Sequence, residues 1–206
     1  MTEPEKPAPP PEPKPAPAAK PKGPAGTDAS GKPLVANLSM AVPGAVLSAR
    51  ENLAETTVDV EAAKVVDVLR HLKEGEKFTY LVDLTAVDWK DRKPRFDVVY
   101  WLHSFARGNE RIRIKAKVED GAPCPSVTPV FETANWLERE VFDLYGIHFG
   151  GHPDLRRILT WDGFHGHPLR KDFPIEGIDT GAAIYPDRYP DGGGPAPDDS
   201  NRKVLS

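Results

Sequence analysis

The residue types able to do chemistry concentrate between Asn135 and Pro174, NWLEREVFDLYGIHFGGHPDLRRILTWDGFHGHPLRKDFP. These forty residues hold four of the six histidines, two of the four tryptophans, the pairs Arg156-Arg157 and Arg170-Lys171, and many carboxylates. His148, His152, His165 and His167, with Glu138, Asp143, Asp154 and Asp162, are ligand types for zinc, iron or manganese. Their spacing argues against a metal hydrolase. His148 and His152 follow a helix-ending glycine and flank Gly150-Gly151, so they are not a helical i,i+4 ligand pair. His165 and His167 lie on a Gly/Pro turn, where a histidine equally well fixes the turn by hydrogen bonds. Cys124 stands between two prolines with no histidine nearby, and no serine sits in a GxSxG elbow. Gly192-Gly193-Gly194 lacks the following helix that a phosphate loop requires. What recurs is arginine with carboxylate, a pairing in which the planar guanidinium takes two oxygens at once. Glu138, Glu140 and Asp143, with Arg156, Arg157 and Arg170 downstream, predict a locked polar network. Such a network either pins the segment onto its own domain or shapes a surface for a partner, and the two roles are compatible.

The elements that must position these groups follow from periodicity. Asn135-Trp136-Leu137-Glu138 fits a capping-box variant opening a helix to Tyr145, ended by Gly146. Leu137, Val141, Leu144 and Tyr145 share one face of it, with Glu138, Arg139, Glu140 and Asp143 around the other side. Upstream, Val46 to Val60 reads as two strands about a turn at Glu51-Asn52. Glu61 to Glu74 reads as a helix with Ala62, Val65, Val66, Leu69 and Leu72 inward, His71 at its rim and Gly75 as its stop. Three strands follow: Phe78 to Leu84 running into Val87 and Trp89, Phe96 to Phe105, and Arg111 to Val118. The second is apolar on both faces and therefore central. The third alternates strictly, with Arg111, Arg113, Lys115 and Lys117 outward; a solvated face that blocks edge pairing is a better reading than a nucleic-acid surface. Short polar links make these strands antiparallel neighbours. Thr128-Pro129 has the form of an N-cap with proline at the first helical position.

The predicted fold class is α+β, a mainly antiparallel or mixed β-sheet with helices packed against it. The predicted domains are a disordered Pro/Ala/Lys-rich tail over 1–33, an α+β domain over 34–175 and an extended or disordered arm over 176–206. The first 33 residues hold 11 of the 23 prolines and almost no large apolar side chain, too little to offset the entropy of ordering. Its PxxP patterns, Pro4 to Pro7 and Pro10 to Pro13, suit an aromatic groove, although a spacer role is the plainer reading. A net charge of −4 gives no drive toward nucleic acid or an anionic membrane. One cysteine, Cys124, excludes an internal disulfide and a four-thiolate cluster within the chain and suits a reducing compartment. No apolar run approaches the about 18 residues of a membrane span, and no signal-type segment is expected at the N-terminus. Any membrane association is therefore expected to be indirect.

At the charged helix the pattern resembles a known family. Glu138-Arg139-Glu140, then Asp143-Leu144-Tyr145, His152, Arg156 and Ile158-Leu159 are similar to the defining motif of the C subunit of NADH:quinone oxidoreductase, respiratory complex I. The run Gly166 to Pro174, GHPLRKDFP, matches how that family continues. The resemblance implies a peripheral subunit on the cytoplasmic face of the bacterial inner membrane, packed against the quinone-site D subunit and near the B subunit with the terminal iron–sulfur cluster. It implies a non-catalytic assembly subunit of a complex that passes electrons from NADH to quinone and translocates protons. It implies no cofactor in this chain, with FMN, iron–sulfur clusters and quinone in partner subunits. The residues expected to form the partner interface are Glu138, Arg139, Glu140, Asp143, His152, Arg156, Arg157, His167, Arg170, Lys171 and Asp172. The Pro-rich head and the Gly/Pro/Asp tail depart from the family, whose members commonly carry an RYD-containing extension. Competing readings are the equivalent subunit of a related hydrogenase or other-donor complex, a stand-alone His/Asp metalloenzyme, and a nucleic-acid module on the cationic strand.

Overall fold

A computed structural model describes residues 26–161 and 163–175; residues 1–25 of the tail predicted over 1–33, Asp162 and the arm over 176–206 lie outside the described residues, while residues 26–33 of that tail hold β1 and the start of α1. The elements in order are β1 (Thr27–Asp28), α1 (Pro33–Ala41), β2 (Val46–Asn52), β3 (Glu55–Glu61), a 3-10 turn (Ala62–Lys64), α2 (Val65–Glu74), β4 (Tyr80–Asp88), β5 (Phe96–Ser104), β6 (Glu110–Val118), β7 (Cys124–Pro125), α3 (Ala134–Tyr145) and β8 (Phe149–Gly150). Six strands form one mixed sheet in the order β1-β2-β3-β6-β5-β4, and β7 pairs with β8 separately. The one parallel pairing in the large sheet is β3 with β6; the rest are antiparallel. The α+β expectation and the antiparallel β4-β5-β6 unit are both present.

The sheet is two-faced because its strands alternate. Phe96, Val98, Tyr100 and Leu102 of β5 and Ile112, Ile114 and Ala116 of β6 point inward and are fully buried. They meet Val65, Val68, Leu69 and Leu72 of α2 and Leu34, Val35 and Leu38 of α1 in one core. Val68 belongs to that core face and Val66 lies at its edge, a small rotation from the expected face; His71 is half-buried at the rim. Helix α1 is not expected from the sequence, because Pro33 at its first turn reads as the end of the Pro-rich tail.

Three local expectations are corrected. The β2–β3 turn falls at Leu53-Ala54, both with positive φ, rather than at Glu51-Asn52, which still pair across the ladder. The cations of β6 do not guard an edge, since β6 lies between β3 and β5; Arg113 meets Glu55 at 3.0 Å and stacks on Trp101 at 4.2 Å, while Lys117 bridges Asp59 and Asp97. Thr128-Pro129 starts no helix. The Thr128 hydroxyl faces Ser126 Oγ at 2.8 Å in a turn that precedes α3.

Candidate functional site

Helix α3 is buried on two sides, and its charges are the reason. Ala134, Glu138 and Val141, at i, i+4 and i+7, face the core, while Arg139 and Asp143 lie under the loop 152–160. Glu138, Arg139 and Asp143 are all buried, whereas Leu137, Leu144 and Tyr145 are only partly so. The side of α3 that carries Glu138, Arg139 and Asp143 is therefore more deeply buried than the side that carries Leu137, Leu144 and Tyr145. Glu138 also does not close a capping box: Thr133 occupies the N-cap without a side-chain bond. Gly146 ends the helix in the left-handed region as expected, and a Cβ there would sit 2.6 Å from the His167 ring.

Asp143 organises the loop. One carboxylate oxygen accepts the N–H groups of Ile158, Leu159 and Thr160 at 3.1, 2.8 and 2.8 Å. The other accepts Arg157 Nη1 at 2.7 Å and the Thr160 hydroxyl. Burial raises the Asp143 carboxyl, but the Thr160 hydroxyl and the three N–H groups outweigh it and hold the carboxyl well below the usual range. Arg157 reaches on to Gly166 O at 3.1 Å, and His167 Nδ1 donates to Asp143 O at 2.8 Å. One turn earlier, Arg139 donates to Arg156 O and Arg157 O at 3.1 and 3.0 Å while lying over Trp136. His152 Nδ1 accepts the Asp154 N–H, which leaves Nε2–H to donate to Asn135 O at 3.1 Å. The two histidines act as turn locks, and His148 and His165 are exposed.

Two predicted partners part company with this network. Glu138 meets no arginine; it accepts the Ser126 hydroxyl and the Val127 N–H, each at 2.7 Å, and burial pushes its carboxyl up to about 7 against those bonds. Arg156 faces outward and, among the described residues, forms a salt bridge only with Asp154, both well exposed. Glu140 is half-buried, with no hydrogen bond to another side chain among the described residues. Cys124 is buried 3.5 Å from the Tyr100 hydroxyl, and burial pushes its thiol up to about 12, out of the range of a reactive thiolate.

A second cluster holds the end of the segment. Arg170 binds Asp120 through both terminal nitrogens and also meets Asp172 at 3.1 Å. Arg95 takes Asp88 bidentately at 2.8 and 2.7 Å and reaches Asp120 and Asp172 at 2.8 and 2.9 Å. The backbone N–H of Lys171 donates to Asp88 at 2.8 Å, and its ammonium lies 5.9 Å over Trp89. Sequence reasoning missed Asp88, Arg95 and Asp120. A signal existed for one of them: Asp88 continues the inward phase of Leu84 and Ala86, where a carboxylate needs a cation.

These bonds tie each lock to backbone and leave a ridge of large exposed side chains: Trp136 (61%), Leu159 (64%), Trp161 (39%) and Leu169 (50%), beside Arg156. Fold and site together define an α+β domain carrying a loop layer clamped to one helix by buried charges. Residues 58–179 match the family described as respiratory-chain NADH dehydrogenase, 30 Kd subunit, and the chain belongs to that family. It is 57% identical over 125 residues to the NADH-quinone oxidoreductase C subunit of Caulobacter vibrioides, covering 60% of this chain and 63% of that protein. It is 51% identical over 146 residues to the same-named protein of Rhodobacter capsulatus, covering 70% and 73%. In structure it is similar to a chain of the membrane-bound sulfane sulfur reductase, an archaeal respiratory membrane complex, with a TM-score of 0.60 and 26% identity over 69% of this chain and 84% of that one.

Proposed function

We propose that this chain is a non-catalytic assembly subunit of the peripheral arm of proton-translocating NADH:quinone oxidoreductase. It docks on the D subunit at the quinone site and lies near the cluster-bearing B subunit, on the cytoplasmic face of the bacterial inner membrane. Flavin, iron–sulfur clusters and quinone belong to the partner chains. The observation that carries the reading is the ridge formed by Trp136 on α3 with Arg156, Leu159 and Trp161 on the loop that Asp143, Arg139 and Arg157 fasten to that helix. Tryptophan and arginine on a preorganised surface are what a stable interface uses as anchors. Identities of 57% and 51% to NADH-quinone oxidoreductase relatives, against 26% to the sulfur-reductase chain, favour the NADH-linked complex over a related one. The absence of a helix long and apolar enough to cross a membrane among the described residues suits attachment through partners.

The test separates surface from scaffold. Leu159→Asp removes an exposed contact without touching the core, so complex assembly on native gels should fall while the thermal midpoint of the chain stays within about 2 °C. Arg157→Ala should loosen the loop and reduce assembly more than domain stability. Equal loss of both would reassign Arg157 to maintaining the fold, and full assembly with Leu159→Asp would remove the ridge from the interface.

A further inference from the structure

The face of the sheet opposite the core helices carries a second set of rings, exposed at Tyr80 and Phe105 and half-buried at Trp101 and His103. Tyr80, Trp101, His103 and Phe105 lie on its outward phase; Tyr80 pairs with His103 in register, and Phe105 follows β5 directly. The Phe105 centroid is 6.1 Å from Tyr80 and 4.4 Å from His103, with Tyr80 50% and Phe105 66% exposed. Arg111 pairs with His103 and is exposed, and Arg113 covers Trp101. Rings flanked by guanidinium groups on a flat strand surface are the chemistry that takes extended proline-rich segments, especially those containing a carboxylate. This chain contains such a segment. Its first 25 residues hold ten prolines, and two of its four PxxP patterns enclose a glutamate, Glu5 in Pro4 to Pro7 and Glu12 in Pro10 to Pro13.

The register brings the two together. Asp28 pairs with Arg50, Arg50 with Thr57, Thr57 with Arg113 and Arg113 with Trp101, so the chain enters the sheet on the cross-strand row that ends at the rings. Four strand spacings separate Asp28 from Trp101, about 19 Å. The 14 residue steps from Pro13 to Thr27 could span about 43 Å at the polyproline rise, enough to cross that row and turn. We propose that the Pro-rich head of this chain, through its Pro10 to Pro13 repeat, docks on the Tyr80–Trp101–Phe105 cluster of the same molecule, with Glu12 facing Arg111. The proposal does not depend on the docking role of the α3 ridge, which lies on other elements.

The test places p-benzoyl-phenylalanine at Phe105 in the full chain, irradiates it and maps the adduct by mass spectrometry. The expected adduct joins position 105 to a peptide within residues 4–16. In an equal mixture of isotopically light and heavy chains it stays within one chain. Pro10→Ala with Pro13→Ala should lower its yield, and Arg111→Glu should lower it about fivefold, the loss of one charge-assisted contact. Adducts confined to residues outside the head, adducts between light and heavy chains, or a yield unchanged by the proline substitutions would each overturn the proposal.

Discussion

A single carboxylate, Asp143, fixes the path of the loop that follows α3. It is fully buried and receives three backbone N–H groups, a hydroxyl and a guanidinium. Asp143→Asn turns an amide N–H₂ toward those donors and leaves Arg157 without a counter-charge. It should cost about 3–5 kcal/mol in urea unfolding, the scale of breaking a buried pair. Because its folded-state carboxyl lies below the ordinary 3.8, the stability it confers is present above that value and is lost as pH falls through the depressed one. Glu138 has the opposite sign. Its carboxyl rises from 4.5 to about 7 in the fold, so the native state binds the proton more tightly. Its contribution is complete below pH 4.5 and declines as pH rises toward 7, by on the order of 3 kcal/mol. Glu138→Gln reproduces the protonated acid, with its oxygen accepting from Val127 and its N–H₂ donating to Ser126. Thermal midpoints measured across pH 4.5 to 7 should fall in the parent chain and flatten in this variant. Parallel curves for the two would show that Glu138 stays ionised.

Among the elements, the β2–β3 hairpin stores strain at its turn. Leu53 and Ala54 both adopt positive φ in a two-residue loop, a geometry suited to Asn-Gly, and Leu53 is 88% exposed. Replacing the pair with Asn-Gly should stabilise the domain by about 1–2 kcal/mol, read as a rise in the urea midpoint at constant slope. No change would mean that the turn already relaxes at no cost. Legibility differs between elements for physical reasons. Strands β5 and β6 are readable because a two-residue period with a buried face leaves little choice of register, and α2 because its apolar stripe is continuous. Helix α3 is located from sequence, but of the face Leu137, Val141, Leu144 and Tyr145 only Val141 is fully buried, because the loop 152–160 covers and satisfies Arg139 and Asp143 on the other side. Helix α1 is nine residues long, begins at a proline and carries apolar residues around its whole circumference, so no one-sided stripe marks it. The places of Arg157 and Arg170 in a polar network are legible from the spacing of charges around α3, whereas His152 and His167 are marked only by the resemblance to the family motif. Arg95 and Asp120 are not legible, and the inward phase of Asp88 shows only that it needs a cation and not which one, because these contacts join strands to a loop up to 83 residues away.

At the scale of the whole molecule, the chain divides its surfaces. The core side of the sheet carries α1 and α2, the loop layer on α3 presents Trp136, Leu159 and Trp161, and the outward sheet face carries charge pairs with an aromatic corner. Arginine–carboxylate bonds fasten the layer along its length, from Arg157 with Asp143 to Arg170 with Asp120. Ion pairs of this kind hold geometry more than they add net stability, which suits a surface that must be presented in one shape. The central claim, an assembly subunit within a respiratory complex, is tested most directly by purifying the tagged chain from its native membranes in mild detergent. The preparation is assayed for iron–sulfur absorbance and NADH:quinone activity, beside the Leu159→Asp variant. The account predicts clusters and activity with the parent chain and their loss with the variant. Recovery of the parent chain alone, without clusters or partner subunits, would contradict it.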